Sequence, residues 1–270
     1  MRPTAAATIS FGMVSIPVKL FSATESSVSI SFNMLHGKCS GPVKQQYIHR
    51  RDPGDPFCEG ESGEAIPRTE MVKGRKIASD KYVVFTADEI KKMEEERTGL
   101  IDISEFLDIK EVDPIYYENA SYLAPDKGGE KAYRLLCDAM KKTGRVAVAK
   151  WAARGKQYLV LLRPLKNVVI LQQLRYPDEV RPLDEVPVGT AETKENELKL
   201  AVQLIDQITS PAFEPSHYED EVRKRMQAAI DRKIQGQEIS TAPEQPRAQI
   251  IDIMEALKAS LAAKKEPAEA

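Results

Sequence analysis

The sequence predicts an α+β fold dominated by β-strands, with a helical C-terminal region. Up to about residue 176, short segments of alternating apolar and polar residues recur and are separated by Gly, Pro and Asp. After the Pro-rich and acidic segment "YPDEVRPLDEVPVG", apolar residues recur at helical spacing instead. A chain of 270 residues, 42% of them hydrophobic, is long enough to bury a core in such a fold.

The first strands are predicted near the N-terminus. The segment "ATISFGMVSIPVKLFSAT" alternates and is interrupted at Gly12 and Pro17, and "VSISFNML" alternates again. The stretch "RRDPGDPFCEGESGE" indicates turn or loop. After the short strand "KYVVFT", a capping box of Thr86 and Glu89 precedes the predicted helix "ADEIKKMEEER". The segments "LIDISEFLDI" and "IYYENASYL" predict two further strands.

A helix and three strands are predicted in the middle of the chain. "PDKGGEKAYRLLCDAMKKTG" predicts a helix that ends at Gly144, with an apolar face formed by Leu135, Leu136, Ala139 and Met140. The segments "RVAVAKWAA" and "QYLVLLRP" are predicted strands of a hairpin that turns around Gly155, and "NVVILQQLRY" is a third strand.

The C-terminal part is predicted to be helical. "TKENELKLAVQLIDQIT" is amphipathic, and "SHYEDEVRKRMQAAIDRKIQG" begins with a possible capping box of Ser216 and Glu219. A last amphipathic stretch runs from Ile250 to Lys265. We therefore expect a β-rich body over residues 1–180, a helical part of the same core over 181–240, and a short C-terminal segment over 241–270.

Cysteine content and hydropathy predict the compartment. The chain has only three cysteines, a small and odd number that argues against a disulfide framework. This favours a reducing cytoplasm. The N-terminus lacks a continuous apolar stretch of the signal-peptide kind, and no window approaches the roughly 18 apolar residues that cross a bilayer. We expect a cytoplasmic protein without a signal peptide or membrane contact.

The charges are segregated along the chain, although the formal net charge is only −2. Residues 80–118 contain twelve acidic and five basic residues, whereas the only charged residues between 26 and 51 are Lys38, Lys44, Arg50 and Arg51. Residues 145–175 contain no acidic residue and seven basic ones, which are Arg145, Lys150, Arg154, Lys156, Arg163, Lys166 and Arg175. A β-ribbon that carries several cations suits a phosphate backbone, and a solvated charged face is the simpler alternative.

Two other classes of binding protein stay open. Trp151 and Tyr158 could serve as stacking platforms of a single-stranded nucleic-acid or RNA-binding barrel, although a core or cross-strand role is commoner for such residues. Alternatively, the basic block binds an acidic protein partner, including the acidic block 80–118 of a second copy. Competition between duplex and single strand, and DNA binding at modest salt, separate these interpretations.

Metal-binding and catalytic patterns are weak. One set of zinc ligand types is present without a C-x-x-C pair, namely His36, Cys39, His49 and Cys58. Cys137 lies on the apolar side of a predicted helix, and the consecutive acids Glu94–Glu96 point in different directions on another. "APDKGG" is only superficially like a phosphate-binding loop. We expect a protein that is not an enzyme and needs no cofactor or metal.

Five segments resemble bacterial Ku proteins, in the same order along the chain. They are "ISFGMVSIPVKLFSAT", "MVKGRKIASDKYVVFT", "DPIYYENASYLAPDKGGEKAYRLL", "TGRVAVAKWAARGKQYLVLLRP" and "LRYPDEVR". The resemblance extends from Ile9 to about Ile239. It implies a Ku-type β-barrel core with projecting β-arms, and a homodimeric ring through which a double-stranded DNA end threads in non-homologous end joining. It also implies recruitment of ligase D, an ATP-dependent end-joining ligase, through the C-terminal region.

The resemblance gives the basic block a role. It implies that the hairpin Ala153–Gln157 belongs to the arms around DNA, inside a ring that should be basic and free of acid because a carboxylate repels phosphate. We predict phosphate contacts from Lys150, Arg154, Lys156 and Arg163, with Arg145, Lys166 and Arg175 behind them, and further contacts from Lys38, Lys44, Arg50 and Arg51. The expected partners are DNA ends, a second copy and ligase D, with no small-molecule substrate, in a bacterial cytoplasm at the nucleoid. The stretch Ile250–Lys265 is the implied ligase-docking helix.

Overall fold

The structure is a computed structural model that describes residues 1–25, 30–49, 63, 65–78, 81–93, 98–236 and 257–258. Its strands are β1 Ala5–Phe11, β2 Val14–Ser22, β3 Lys73–Ala78, β4 Lys81–Phe85, β5 Leu100–Asp108, β6 Tyr117–Pro125, β7 Arg145–Ala153, β8 Lys156–Leu165 and β9 Val168–Leu174. Its helices are α1 Ala87–Met93, α2 Glu130–Thr143, α3 Glu195–Ile208 and α4 Glu221–Ile234. The main division between compact units falls between Arg181 and Pro182.

Seven strands of the first unit close into a barrel in the order β1-β2-β6-β9-β8-β7-β5. β1 and β5 pair in parallel and the other neighbours are antiparallel. Strands β3 and β4 form a separate two-stranded ribbon. The predicted α+β, β-dominated fold class is confirmed.

The barrel is filled by the inward-facing residues of its strands, as the alternation in the sequence requires. Ile9, Val18, Ile101, Leu123 and Val160 have no exposed surface. Helix α2 packs its apolar side into the same core through Tyr133, Leu136, Cys137 and Met140. The predicted helix is thus confirmed, but its buried face is rotated from the predicted one, and Leu135 is 71% exposed.

Two contacts hold α2 against the barrel. The Tyr133 hydroxyl donates to the Leu123 carbonyl at 2.6 Å and accepts from the Val169 N–H at 2.8 Å, so one side chain satisfies buried backbone groups on β6 and β9. At the start of the helix, Gly129 lies against Pro17, where an added Cβ would be 2.7 Å from the Pro17 carbonyl oxygen. Only glycine permits this approach.

Pro17 lies within β2 without breaking it. Its partner in β1 is Thr8, whose N–H points away from β2 and donates to the Gly99 carbonyl. On the other side of β2, the pairing with β6 begins one residue after Pro17, at Val18. The N–H that proline lacks is therefore not needed for the ladder.

Several local predictions are confirmed. Thr86 and Glu89 form the reciprocal capping box, with Thr86 N–H donating to the Glu89 carboxylate at 2.8 Å and Glu89 N–H donating to the Thr86 hydroxyl at 3.2 Å. Gly144 ends α2 in a left-handed conformation, with φ of 66°. The β7–β8 turn consists of Arg154 and Gly155, both with positive φ, as a two-residue hairpin of this twist requires.

Other local predictions are wrong. The described part of "VSISFNML" is not a strand, and Leu35 makes only an isolated bridge to Pro42. Helix α4 is capped by Asp220, whose side chain accepts from the Arg223 N–H at 3.0 Å, instead of by Ser216. Of the last predicted helix, only Leu257 and Lys258 are described, and both are helical.

Helices α3 and α4 of the second unit keep much of their apolar surface exposed. The exposed side chains are Leu198, Val202, Ile205 and Ile208 on α3, and Val222, Met226 and Ile234 on α4. Exposed apolar stripes of this extent mark interaction surfaces. No helix in the described ranges is long and apolar enough to cross a membrane.

Candidate nucleic-acid interface

The cations predicted from residues 145–175 lie toward two opposite ends of the barrel. One end carries the β7–β8 turn, and the chain leaves the barrel there after Ser22 and returns to it at Gly99. We call this the arm end and residues 23–99 the arm. The opposite end carries the β8–β9 turn at Lys166 and Asn167 and helix α2, whose Lys141 Nζ donates to Asn167 at 3.0 Å. We call this the helix end.

Strand β8 separates these ends by its ten residues, or about 30 Å of extended chain. Three of the predicted cations lie at the arm end and are exposed: Arg154, Lys156 and Arg175. Three lie toward the helix end: Arg145 and Lys166, which are exposed, and Arg163, which is partly buried. The structure therefore does not bring all seven together.

Lys150 and Arg145 lie opposite acidic residues. The register places Lys150 of β7 across from Asp102 of β5, and Arg145 across from Asp108. Opposite charges in such cross-strand positions attract each other and lower the local positive potential. The acid-free interior of the ring stays a prediction, but the surface of β7 adjoins acidic residues, because its neighbour in the barrel comes from the acidic block of the sequence. The basic and acidic blocks, whose pairing between two copies was one of the alternatives, adjoin within one barrel.

The arm supplies cations away from the barrel strands. At its roots, the Ala23 N–H donates to Ala120 at 3.2 Å and the Gly99 N–H donates to Ala152 at 3.1 Å, which fixes both ends of the arm to the barrel. Lys38 and Lys44 are exposed on the arm. Arg50 and Arg51 lie outside the described residues, so their predicted role stays a prediction.

The β3–β4 ribbon of the arm carries four exposed cations that we did not assign from the sequence: Lys73, Arg75, Lys76 and Lys81. The signal was their density within "KGRKIASDK". The Lys76 ammonium of β3 lies 6.0 Å from the centroid of the Tyr82 ring of β4. This cation–π contact links the two strands at the surface. An isolated two-stranded ribbon is marginally stable by itself, so this one is suited to a bound partner.

Trp151 and Tyr158 are partly buried and pack against the barrel core. They face each other across β7 and β8, with ring centroids 5.5 Å apart and planes tilted by 38°. This agrees with the core and cross-strand interpretation. Because each ring already packs against the other and the core, they do not form an open platform for successive bases.

The candidate metal and nucleophile residues do not assemble in the described part of the chain. His36 Nδ1 lies 3.2 Å from Cys39 Sγ, but Cys58 is outside the described residues, and no group of three or more His, Cys, Asp or Glu side chains with metal-binding geometry occurs among those described. Cys137 is buried, and burial raises the pKa of its thiol. Such a thiol is a poor nucleophile.

The fold and its surface define a class: a closed β-barrel with a long arm inserted between two of its strands, and a cationic β-ribbon on that arm. A family model, the Ku70/Ku80 β-barrel domain, matches residues 10–200. The chain belongs to the Ku family.

Curated relatives support this assignment over nearly the whole chain. A protein of Paraburkholderia phymatum, named non-homologous end joining protein Ku, is 44% identical over all of this chain and 86% of its own length. A protein of the same name from Bacillus subtilis is 34% identical over 96% of this chain and 81% of its own. One from Archaeoglobus fulgidus is 37% identical over 98% of this chain and its entire own length.

Proposed function

We propose that this protein binds double-stranded DNA ends in non-homologous end joining, without sequence preference, as a ring-shaped homodimer. The observation that carries the proposal is the group of exposed cations at the arm end, together with those of the β3–β4 ribbon. Arg154 and Lys156 project from a tight turn, and no described carboxylate forms an ion pair with them. Family membership and the names of the relatives supply the remaining support.

The cations on this surface suit contact with phosphates and not with bases. The ribbon cations stand on two short antiparallel strands, and Arg154 and Lys156 stand at a hairpin turn. Lys and Arg at phosphates release condensed counterions whatever the sequence, so binding should be strong, salt-dependent and indifferent to sequence. The helix-end residues Arg163 and Lys166 lie away from this path in our proposal.

The unpartnered apolar surfaces favour a second copy as partner. The ribbon exposes Ile77 and Val84 beside its cations, and α3 and α4 carry apolar stripes. Burying such stripes contributes about 25 cal/mol for each Å² removed from water. A closed dimer gives the end specificity that charge cannot give, because a ring loads only where the duplex stops.

We assign no reaction to the protein and propose that it recruits ligase D. Recruitment rests on the resemblance to the family and on the amphipathic pattern of Ile250–Lys265. Loss of ligase stimulation after truncation at Gly236, with DNA binding retained, is the expected result; unchanged stimulation would place the contact elsewhere.

The first test compares a linear duplex of about 40 base pairs with the same sequence closed into a covalent minicircle. Both are offered to the full chain at about 0.1 M salt, where the screening length is near 10 Å. We expect the linear form to bind and the circle to fail as competitor. Equal competition would reject the ring, and stronger binding of the single strand would favour a single-strand-binding protein instead.

A further inference from the structure

A cavity of about 280 Å³ opens at the arm end of the barrel. Its floor is largely apolar and includes Ala5, Leu20 and the rings of Trp151 and Tyr158. Its rim is polar and includes Thr4, Ser22, Thr24, Asn119, Ser121, Arg154 and Gln173. A concave site with an apolar floor and a few converging polar groups is the usual form of a small-molecule site.

Three of the seven polar residues of the rim donate hydrogen bonds within the protein. The Ser22 hydroxyl donates to the Thr24 carbonyl at 2.6 Å, and Thr4 donates to the Leu20 carbonyl at 3.2 Å. The Gln173 amide donates to the Glu118 carboxylate at 2.7 Å. The side chains of Thr24, Ser121, Asn119 and Arg154 make no hydrogen bond in the described structure and stay available.

Two of the unused polar groups in the lining can only donate. The Trp151 Nε1–H is buried and has no hydrogen-bond partner there. The Arg154 guanidinium stands at the rim, and none of the lining residues is acidic. An indole N–H and a guanidinium can only donate, so they require an acceptor. An unsatisfied buried donor is a rare and costly feature in a folded protein.

We propose that this cavity binds a small organic anion that joins a flat ring to a phosphate or carboxylate group. The ring lies against Trp151 and Tyr158, and the anionic group is held by Arg154. Because Nε1 is buried in the structure described, its hydrogen bond to the ligand requires a small movement of the indole or its neighbours. Binding therefore changes the surroundings of the indole.

Charge and chemistry argue against three other classes of ligand: a metal ion, an amine and a purely apolar molecule. A metal ion or an amine would find no carboxylate in the lining, and a purely apolar molecule would leave the rim groups dry and unpaired. A deoxynucleoside monophosphate has the required chemistry. Two sources can supply it: the free nucleotide, or the unpaired terminal nucleotide of a DNA strand.

The test uses the intrinsic fluorescence of the full chain, in which Trp151 is the only tryptophan. Trp151 is excited at the red edge of its absorption band. In separate titrations without DNA, dAMP, deoxyadenosine and inorganic phosphate are added to the protein. We expect a saturable change with dAMP at a lower concentration than with either fragment, because only dAMP fills both parts of the site. The absence of a saturable change with dAMP would overturn the proposal.

A matched pair of variants tests the role of Arg154. Arg154→Asn removes the cation at a position with φ of 54°, which asparagine tolerates, and Lys166→Asn makes the same change of charge at φ of 52° in the turn at the helix end. We expect dAMP to bind about tenfold or more weakly to Arg154→Asn and unchanged to Lys166→Asn. Equal affinity for both variants would refute the assignment.

A second variant and a competition complete the test. Trp151→Phe keeps an aromatic ring but removes the N–H. Its affinity for dAMP, measured by calorimetry, should be about threefold to tenfold lower than that of the unchanged protein. Unchanged affinity would contradict the role of Nε1. If DNA ends with one unpaired nucleotide give the same fluorescence change and dAMP competes with them, the source is the strand end. A response to dAMP alone identifies a free nucleotide. DNA-end binding with no dAMP response would remove this proposal and leave the proposed function standing.

Discussion

Replacing Arg154 with Asn and Lys156 with Gln is expected to reduce the salt dependence of DNA-end binding by a calculable amount. Both side chains are exposed at the arm end, and both substitutions preserve the local backbone, because Asn tolerates the positive φ of Arg154 and Lys156 is a surface strand residue. The variant therefore changes charge at the proposed DNA contact while leaving the barrel core untouched.

The magnitude follows from the number of phosphate contacts removed. Each contact contributes about 0.9 to the slope of log K against log salt, so four contacts in a homodimer lower the slope by about 3.6. If only one subunit contacts the DNA, the slope falls by about 1.8. The slope thus reports how many copies of this turn face the duplex.

The assay is fluorescence anisotropy of an end-labelled duplex over a series of salt concentrations. The matched control is Arg163→Gln with Lys166→Asn, which removes the same charge at the helix end of the barrel. We expect the control to keep the native slope. An equal loss of slope in both variants would show that net charge, and not the arm end, governs binding, and would refute the reasoning.

Three further outcomes are expected. Tyr133→Phe leaves two buried backbone groups of the barrel unpaired, which should lower the free energy of unfolding, measured with urea, by about 1–3 kcal/mol for each group. The control is Tyr122→Phe, at a partly buried residue whose hydroxyl has no hydrogen bond in the described structure, and it should cost little. Equal losses in the two variants would contradict the role of the Tyr133 hydroxyl. In a Cys58→Ser background, maleimide should modify the exposed Cys39 rapidly and the buried Cys137 only on unfolding, and rapid modification of both would disprove the burial of α2. Because burial raises the pKa of the Cys137 thiol, the unfolded chain releases this proton first as the pH rises. The free energy of unfolding should therefore fall as the pH rises above about 8.5, the ordinary thiol value, and it should fall by less in Cys137→Ala. A decline that is the same in both proteins would assign it to other groups.

Elements whose signals are local could be read from the sequence. The capping box of Thr86 and Glu89 involves residues three apart, and the turn at Gly155 needs only its own backbone preference. Helix α2 and its end at Gly144 follow from amphipathic spacing and from glycine's tolerance of positive φ. Patterns that involve residues only a few positions apart can be recognised without knowledge of the rest of the fold.

Predictions were wrong where a local pattern allowed more than one structure, or where the structure depended on residues distant in the sequence. The alternation in "VSISFNML" is typical of a strand, but a strand forms only where a neighbour pairs with it, and Leu35 has just one bridge. For α4, Asp220 competed with Ser216 as cap, and both are good N-cap residues. Strand β3 was missed because it is exposed along its whole length and therefore lacks the alternation of apolar and polar residues that marks a half-buried strand.

The sequence by itself determined the family, the β-dominated class and the presence of a cationic block that suits phosphate. Only the tertiary structure decided which of these cations lie together. Closing the barrel places Asp102 beside Lys150 and sends Arg154 and Lys166 to opposite ends, while the arm adds Lys73 and its neighbours. The reason is physical: charges act through distance in space, and strand pairing between residues far apart in the chain sets those distances.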